Sequence, residues 1–201
     1  MEVKSEILKH LGYPVGAEVT ADVNAMVEHA LSELPTVADF RYLYAEFSTL
    51  PDFLHNADGY REYLAGANVI VLCATTLGTG IDRYMQRLQL TDMAYAVVFD
   101  AAAGVFLEEQ ANRYESSLPY PALGFRFCPG YGGTPLTDAR KIADLVHAEN
   151  IGITFLESGL MVPSKSMTGV LRVGGDARKS CTGCVNFDGC GYRARGERCW
   201  R

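Results

Sequence analysis

The feature that most limits the fold of this chain is the run Ala67-Asn-Val-Ile-Val-Leu-Cys-Ala74, apolar at nearly every position and rich in β-branched residues. A strand with one wet face alternates polar and apolar residues, whereas one covered on both faces does not. The run therefore predicts a central strand between two layers, with a buried helix as the alternative that periodicity alone leaves open. Residues 40–47, with aromatic and polar side chains at period two, predict a half-buried neighbour. Further short strands are expected at 125–128, 151–156 and 167–173. Helical spacing marks residues 3–11 and 20–34, the second ended by Leu34-Pro35. Other helices are expected from Leu77-Gly-Thr-Gly to about Gln89, from Thr91 to Tyr114, and from Thr137, a suitable N-cap, to His147. The class is α+β: N-terminal helices and a twisted mixed or antiparallel sheet packed with helices.

With 201 residues, 48% hydrophobic and 21% charged, the chain can bury a sizeable core. Its net charge of −6 argues against nucleic-acid binding, which needs a basic face. No apolar run approaches the roughly 20 residues that span a bilayer, and the N-terminus lacks a leader pattern, so a cytoplasmic location without a membrane is expected. The character changes beyond Gly174. Residues 172–201 carry seven Lys/Arg against three acids, leaving the rest of the chain at −10. Two units are expected: a body over 1–174 and a glycine-rich, cysteine-dense tail over 175–201, too poor in apolar residues to fold on its own core.

Arg126-Phe-Cys-Pro-Gly-Tyr-Gly-Gly133 sets a guanidinium beside a turn with several backbone N–H groups. Arg126 can clamp a carboxylate through two parallel hydrogen bonds, and Gly130, Gly132 and Gly133 let backbone approach a ligand. On these residues alone, an ordinary strand and Pro-Gly turn reads as well. The pairing of Arg126-x-x-Pro129-Gly130-Tyr131 with Leu156-Glu157-Ser158-x-x-Met161-x-Pro163-x-x-Ser166-x-x-Gly169 resembles the activation domain of cobalamin-dependent methionine synthase. Ile7-Leu8-Lys-His-Leu11-Gly12-Tyr13, Thr75-Thr76-Leu77-Gly78-x-x-Ile81-Asp82-Arg83 and the helix from Phe99 through Glu108 extend the resemblance over residues 5–173.

The resemblance implies a methyltransferase-type component that binds S-adenosylmethionine and returns oxidised cob(II)alamin to methylcobalamin, using one electron and the ligand's methyl group. It places the methionine carboxylate on Arg126 and the adenosyl part against Cys128, Pro129 and Gly130. Tyr131 falls at the chemistry, beside the ligand on the corrin-facing surface. Glu108, with Glu109 as its rival, would meet the ammonium or sulfonium charge, and Glu157 and Ser158 would lie close by. No Asp-x-His-x-x-Gly stretch surrounds His10, His29, His55 or His147, so the cobalamin is expected on a separate corrinoid-binding synthase subunit. A low-potential donor such as flavodoxin or ferredoxin would supply the electron. A corrinoid-protein adaptor without catalysis, or an activator of a different corrinoid methyltransferase, are the alternative functions.

Cys181-x-x-Cys184-x5-Cys190-x8-Cys199 falls outside the resemblance. Four thiolates suit tetrahedral zinc or an iron–sulfur cluster, and the spacing does not choose between them. Free thiols or a disulfide are the remaining readings, and Cys73, inside the apolar run, is expected in the core.

Overall fold

A computed structural model describes residues 2–120, 122–174, 179, 181, 184 and 186–198. Two helices open the chain, α1 (Glu2–His10) and α2 (Ala21–Val37), the latter capped by the Thr20 hydroxyl, which accepts from the Val23 N–H at 3.4 Å. Pro35 does not stop α2, as expected from sequence, but sits inside its last turn. A proline so close to the end removes one backbone bond without breaking the helix body. Strand β1 (Arg41–Phe47) follows, then a 3-10 turn at Asp52–His55 and helix α3 (Asp58–Leu64), neither foreseen.

Strand β2 (Val69–Thr76) is the centre of the molecule and leads into α4 (Thr79–Thr91) and α5 (Met93–Ser116). The Asp92 carboxylate caps α5 by accepting from the Tyr95 N–H at 3.0 Å. After the glycine-rich turn come α6 (Asp138–Leu145), the two-residue strands β3 (Thr154–Phe155) and β4 (Met161–Val162), and β5 (Ser166–Val173). Helix α6 is shorter than its sequence pattern, and the Thr137 hydroxyl makes no capping bond. The strand expected over 151–156 shrinks to Thr154–Phe155, because Ile151 closes a 3-10 turn that begins at Ala148. In the tail, α7 (Gly191–Ala194) is a single turn.

The main sheet has the order β1-β2-β5 and both pairings are antiparallel, which resolves the mixed-or-antiparallel alternative. Side chains alternate across a strand. Ile70, Leu72 and Ala74 of β2 pack with Tyr60, Tyr63, Ile142 and Val170 under α3 and α6. Val71 and Cys73 point the other way, to Tyr42, Leu171 and Ala111 of α5. Double coverage explains the uninterrupted apolar run. A second cluster fills the bundle of α1, α2, α4 and α5 around Ile7, Leu34, Ile81 and Phe99. Helix α5 thus serves two layers: its first half belongs to the bundle and its second half lies over the sheet.

Candidate functional site

Arg126 reaches its place through an irregular ribbon on the outer edge of β5. The strand expected at 125–128 is reduced to isolated bridges, Leu123 with Val173 and Phe127 with Val170, so four steps along one chain oppose three along the other. The extra residue bulges the ribbon, and a bulge re-aims nearby side chains. Arg126 then crosses β5 over Gly169: a Cβ at Gly169 would stand 2.4 Å from Arg126 Cγ and 3.0 Å from Cδ. The two halves of the sequence pattern that contain Arg126 and Gly169 therefore meet in one contact.

The guanidinium ends on α5. Nη1 donates to Glu115 and Nη2 to Glu108, with Asn112 Oδ1 3.4 Å from Nη2. Positions 108, 112 and 115 follow the i, i+4, i+7 spacing that aligns side chains on one helical face. The Tyr42 hydroxyl, from β1, donates to Glu115 Oε1 at 2.9 Å. Arg126 is buried, with 3% of its side chain exposed, whereas Glu108 keeps 45% of its side chain in solvent. Burial raises the Glu115 carboxyl above its usual range, opposed by Arg126 and the Tyr42 hydroxyl. The same burial disfavours the charged form of Arg126, but Glu108 and Glu115 outweigh it and hold the guanidinium ionised. Arg126 Nε is buried with no hydrogen-bond partner. An open cleft lined by Asn112, Glu115, Tyr120 and Gly124 adjoins the cluster.

Cys128 lies beside this cluster, and burial pushes its thiol up to about 11 in spite of Arg126. It is a protonated thiol at neutral pH. Beyond Pro129 the chain turns at Gly130, whose φ of 94° favours glycine. The Gly130 N–H donates to Thr134 Oγ1 at 3.0 Å, the Tyr131 N–H to the Cys128 carbonyl at 3.2 Å, and the Thr134 hydroxyl to the Tyr131 carbonyl at 2.8 Å. Two of the backbone donors anticipated for a ligand are thus spent inside the turn. The turn rests on α3 at Gly59, where a Cβ would stand 2.4 Å from the Gly132 carbonyl oxygen. Tyr131 projects outward, 52% exposed, edge-on to Phe127 with centroids 6.2 Å apart.

Glu157 and Ser158 occupy the exposed tip of the β3–β4 hairpin, closed by the Leu156 N–H donating to the Leu160 carbonyl at 2.9 Å. Among the described residues, no hydrogen bond or ion pair joins either to Arg126. The hairpin is tied instead to α6, where Arg140 donates to the Leu156 carbonyl at 3.1 Å and stacks on Phe155. Cys181, Cys184 and Cys190 line one pocket with Phe187, Tyr192, Arg193, Glu197 and Arg198. Among the described residues, no three His, Cys, Asp or Glu side chains stand close enough to hold a metal ion. Cys199 lies outside the described residues. Sequence reasoning named Glu108 and Arg126 but missed Glu115, Asn112 and Tyr42. The i, i+4, i+7 spacing of Glu108, Asn112 and Glu115 along α5 was the available signal.

Neither a family model nor a curated protein matches the chain. A solved structure does: a crystal structure of the MetH reactivation domain bound to AdoHcy superimposes with a TM-score of 0.60 over 97% of this chain and 81% of that one, at 16% identity. The fold is that of the MetH reactivation domain. The AdoHcy in that crystal belongs to that protein. No described helix of this chain is long and apolar enough to cross a membrane.

Proposed function

We propose that this chain binds S-adenosylmethionine beside Arg126 and Tyr131 and supports reductive methylation of a cobalamin carried by a separate corrinoid-binding methionine synthase subunit. The observation that carries the reading is the Arg126–Glu108–Glu115 cluster next to the Gly130 turn, on the fold of a reactivation domain. Two carboxylates and one guanidinium leave the cluster one negative charge in excess. S-adenosylmethionine, with a carboxylate, an ammonium and a sulfonium, carries one positive charge and complements it. Glu108, paired yet half exposed, is the acid within a ligand's reach. Arg126 holds the pair of acids in place and orients Glu108, while Glu115, buried, balances the guanidinium.

The ligand supplies an activated methyl group on a sulfonium; the corrinoid partner takes it up together with one electron from a low-potential donor such as flavodoxin or ferredoxin, and S-adenosylhomocysteine leaves. Tyr131, Leu136, Leu156 and Leu160 are exposed apolar side chains on the turn and hairpin of the candidate site, which supports docking of that partner here. Pairing of both terminal nitrogens of Arg126 with acids favours a second reading, an adaptor that docks a corrinoid protein without binding S-adenosylmethionine.

Calorimetric titration of the Glu108→Gln chain separates them. Loss of one charge-assisted contact weakens S-adenosylmethionine roughly tenfold or more. S-adenosylhomocysteine, which lacks the sulfonium charge, loses less. Equal losses for the two ligands would refute the charge argument, and wild-type chain with no affinity for either would leave the adaptor.

A further inference from the structure

The methionine carboxylate expected on Arg126 has no free donor there. Both terminal nitrogens of the guanidinium donate to acids, Nε is buried, and only 3% of the side chain is exposed. A carboxylate brought to it would also face Glu108 and Glu115. Yet the amino-acid end of S-adenosylmethionine is a zwitterion. A site that takes its ammonium on Glu108 needs a cation within a few ångströms for the carboxylate.

Helix α5 has such a cation beside it. Asp100, Gly104, Glu108 and Asn112 recur every four residues, along the face that carries the Arg126 cluster. Lys165, in the link between β4 and β5, reaches over this face. Its Nζ is 2.8 Å from Asp100 Oδ1, and a Cβ at Gly104 would stand 4.0 Å from the same atom. The missing side chain at Gly104 leaves the ammonium over bare helix backbone, one turn from Glu108. Side-chain positions so spaced stand about 5–6 Å apart. The link itself is pinned: the Lys165 carbonyl accepts from the Leu77 N–H at 2.9 Å and the Thr76 hydroxyl at 3.3 Å, and Ser164 donates its N–H and hydroxyl to Asp82. The head of the lysine is held less firmly than its backbone. Asp100 keeps 55% of its side chain in solvent, and an ion pair of that kind contributes little. An ammonium has several donors, so Lys165 can take a second carboxylate beside Asp100 or exchange one for the other.

We propose that Lys165 binds the carboxylate of the ligand, while Glu108, one turn along α5, takes its ammonium. The assignment rests on the S-adenosylmethionine reading given above. Acids and cations then alternate along the helix in the order Asp100, Lys165, Glu108, Arg126, Glu115, and the zwitterion fits between Lys165 and Glu108 with each charge against its opposite. Arg126, enclosed, orients Glu108; Lys165, with a replaceable partner, meets the ligand.

Calorimetric titrations with S-adenosylmethionine and with its decarboxylated analogue are compared on wild type, Lys165→Met and Asp100→Asn. The readout is the ratio of the two affinities. Lys165→Met is expected to lower the preference for the carboxylate about tenfold or more, the loss of one charge-assisted contact. Asp100→Asn, which removes the competing acid and keeps the lysine, raises it. The Tm of either variant falls by no more than about 4 °C, since the pair they remove is partly exposed. A ratio unchanged from wild type in either variant would overturn the assignment and leave the ligand reading standing. Wild type with no affinity for S-adenosylmethionine would refute that reading, and the assignment with it.

Discussion

Replacing Gly169 by alanine tests the contact on which the candidate site is built. In a strand interior, Gly→Ala ordinarily gains about 0.5–1 kcal/mol, because glycine loses more backbone freedom on folding. Here the new methyl would stand 2.4 Å from Arg126 Cγ and 3.0 Å from Cδ. Those atoms are the stem of a buried side chain whose far end is pinned by Glu108 and Glu115, so the arginine cannot swing aside freely. Overpacking of this kind costs about 1–3 kcal/mol. We expect a net loss of about 1–2 kcal/mol, a fall in Tm of about 2–8 °C for a chain of this size. Displacing the guanidinium also disturbs Glu108, and affinity for S-adenosylmethionine falls with it. Gly104→Ala in α5 is the control: its nearest neighbour is Lys165 Nζ at 4.0 Å, and an alanine in a helix interior gains up to about 1 kcal/mol. The assays are calorimetric melting and ligand titration. Gly169→Ala with wild-type or higher Tm and unchanged binding would refute the proposed crossing of Arg126 over β5.

Glu115 gives a pH signature. Because burial raises its folded-state pKa, its favourable contribution is full below the unfolded-state value and is lost as pH rises through the folded one. Unfolding free energies measured from about pH 4 to 7 should show wild type losing ground to Glu115→Gln as pH rises; a constant difference contradicts the assignment. Thr134→Val removes the acceptor of the Gly130 N–H and one donor to the Tyr131 carbonyl, and should cost about 1–3 kcal/mol in urea unfolding. A cost near zero would mean that the turn holds itself without the hydroxyl.

The central strand was legible because burial on both faces writes itself as an unbroken apolar run, and α4 because Ile81, Tyr84, Met85 and Leu88 recur at helical spacing. Helix α3 was not, since its seven residues Asp58–Leu64 are too few to establish a period and are held by Tyr60 and Tyr63 packing on Phe127. The short strand expected at 125–128 is instead part of an irregular ribbon for a related reason. Its extra residue is visible only against the partner strand. Arg126 could be picked out as a charged residue beside a glycine-rich turn. Its partners could not be assigned, because which face of α5 meets it depends on tertiary packing, and Tyr42, from distant β1, bonds Glu115 rather than the arginine itself.

Helix α5 joins the bundle to the sheet, and this makes it a rotational index for the whole molecule. With 3.6 residues per turn, one residue inserted between Gly104 and Glu108 would turn everything after it by about 100°. The bundle half would stay packed through Phe99, Ala102 and Ala103, while Glu108, Asn112 and Glu115 would leave Arg126 together. An insertion inside α5 would therefore cost the cluster, and the spacing from Phe99 to Glu115 is held fixed by geometry rather than by the identity of the residues between.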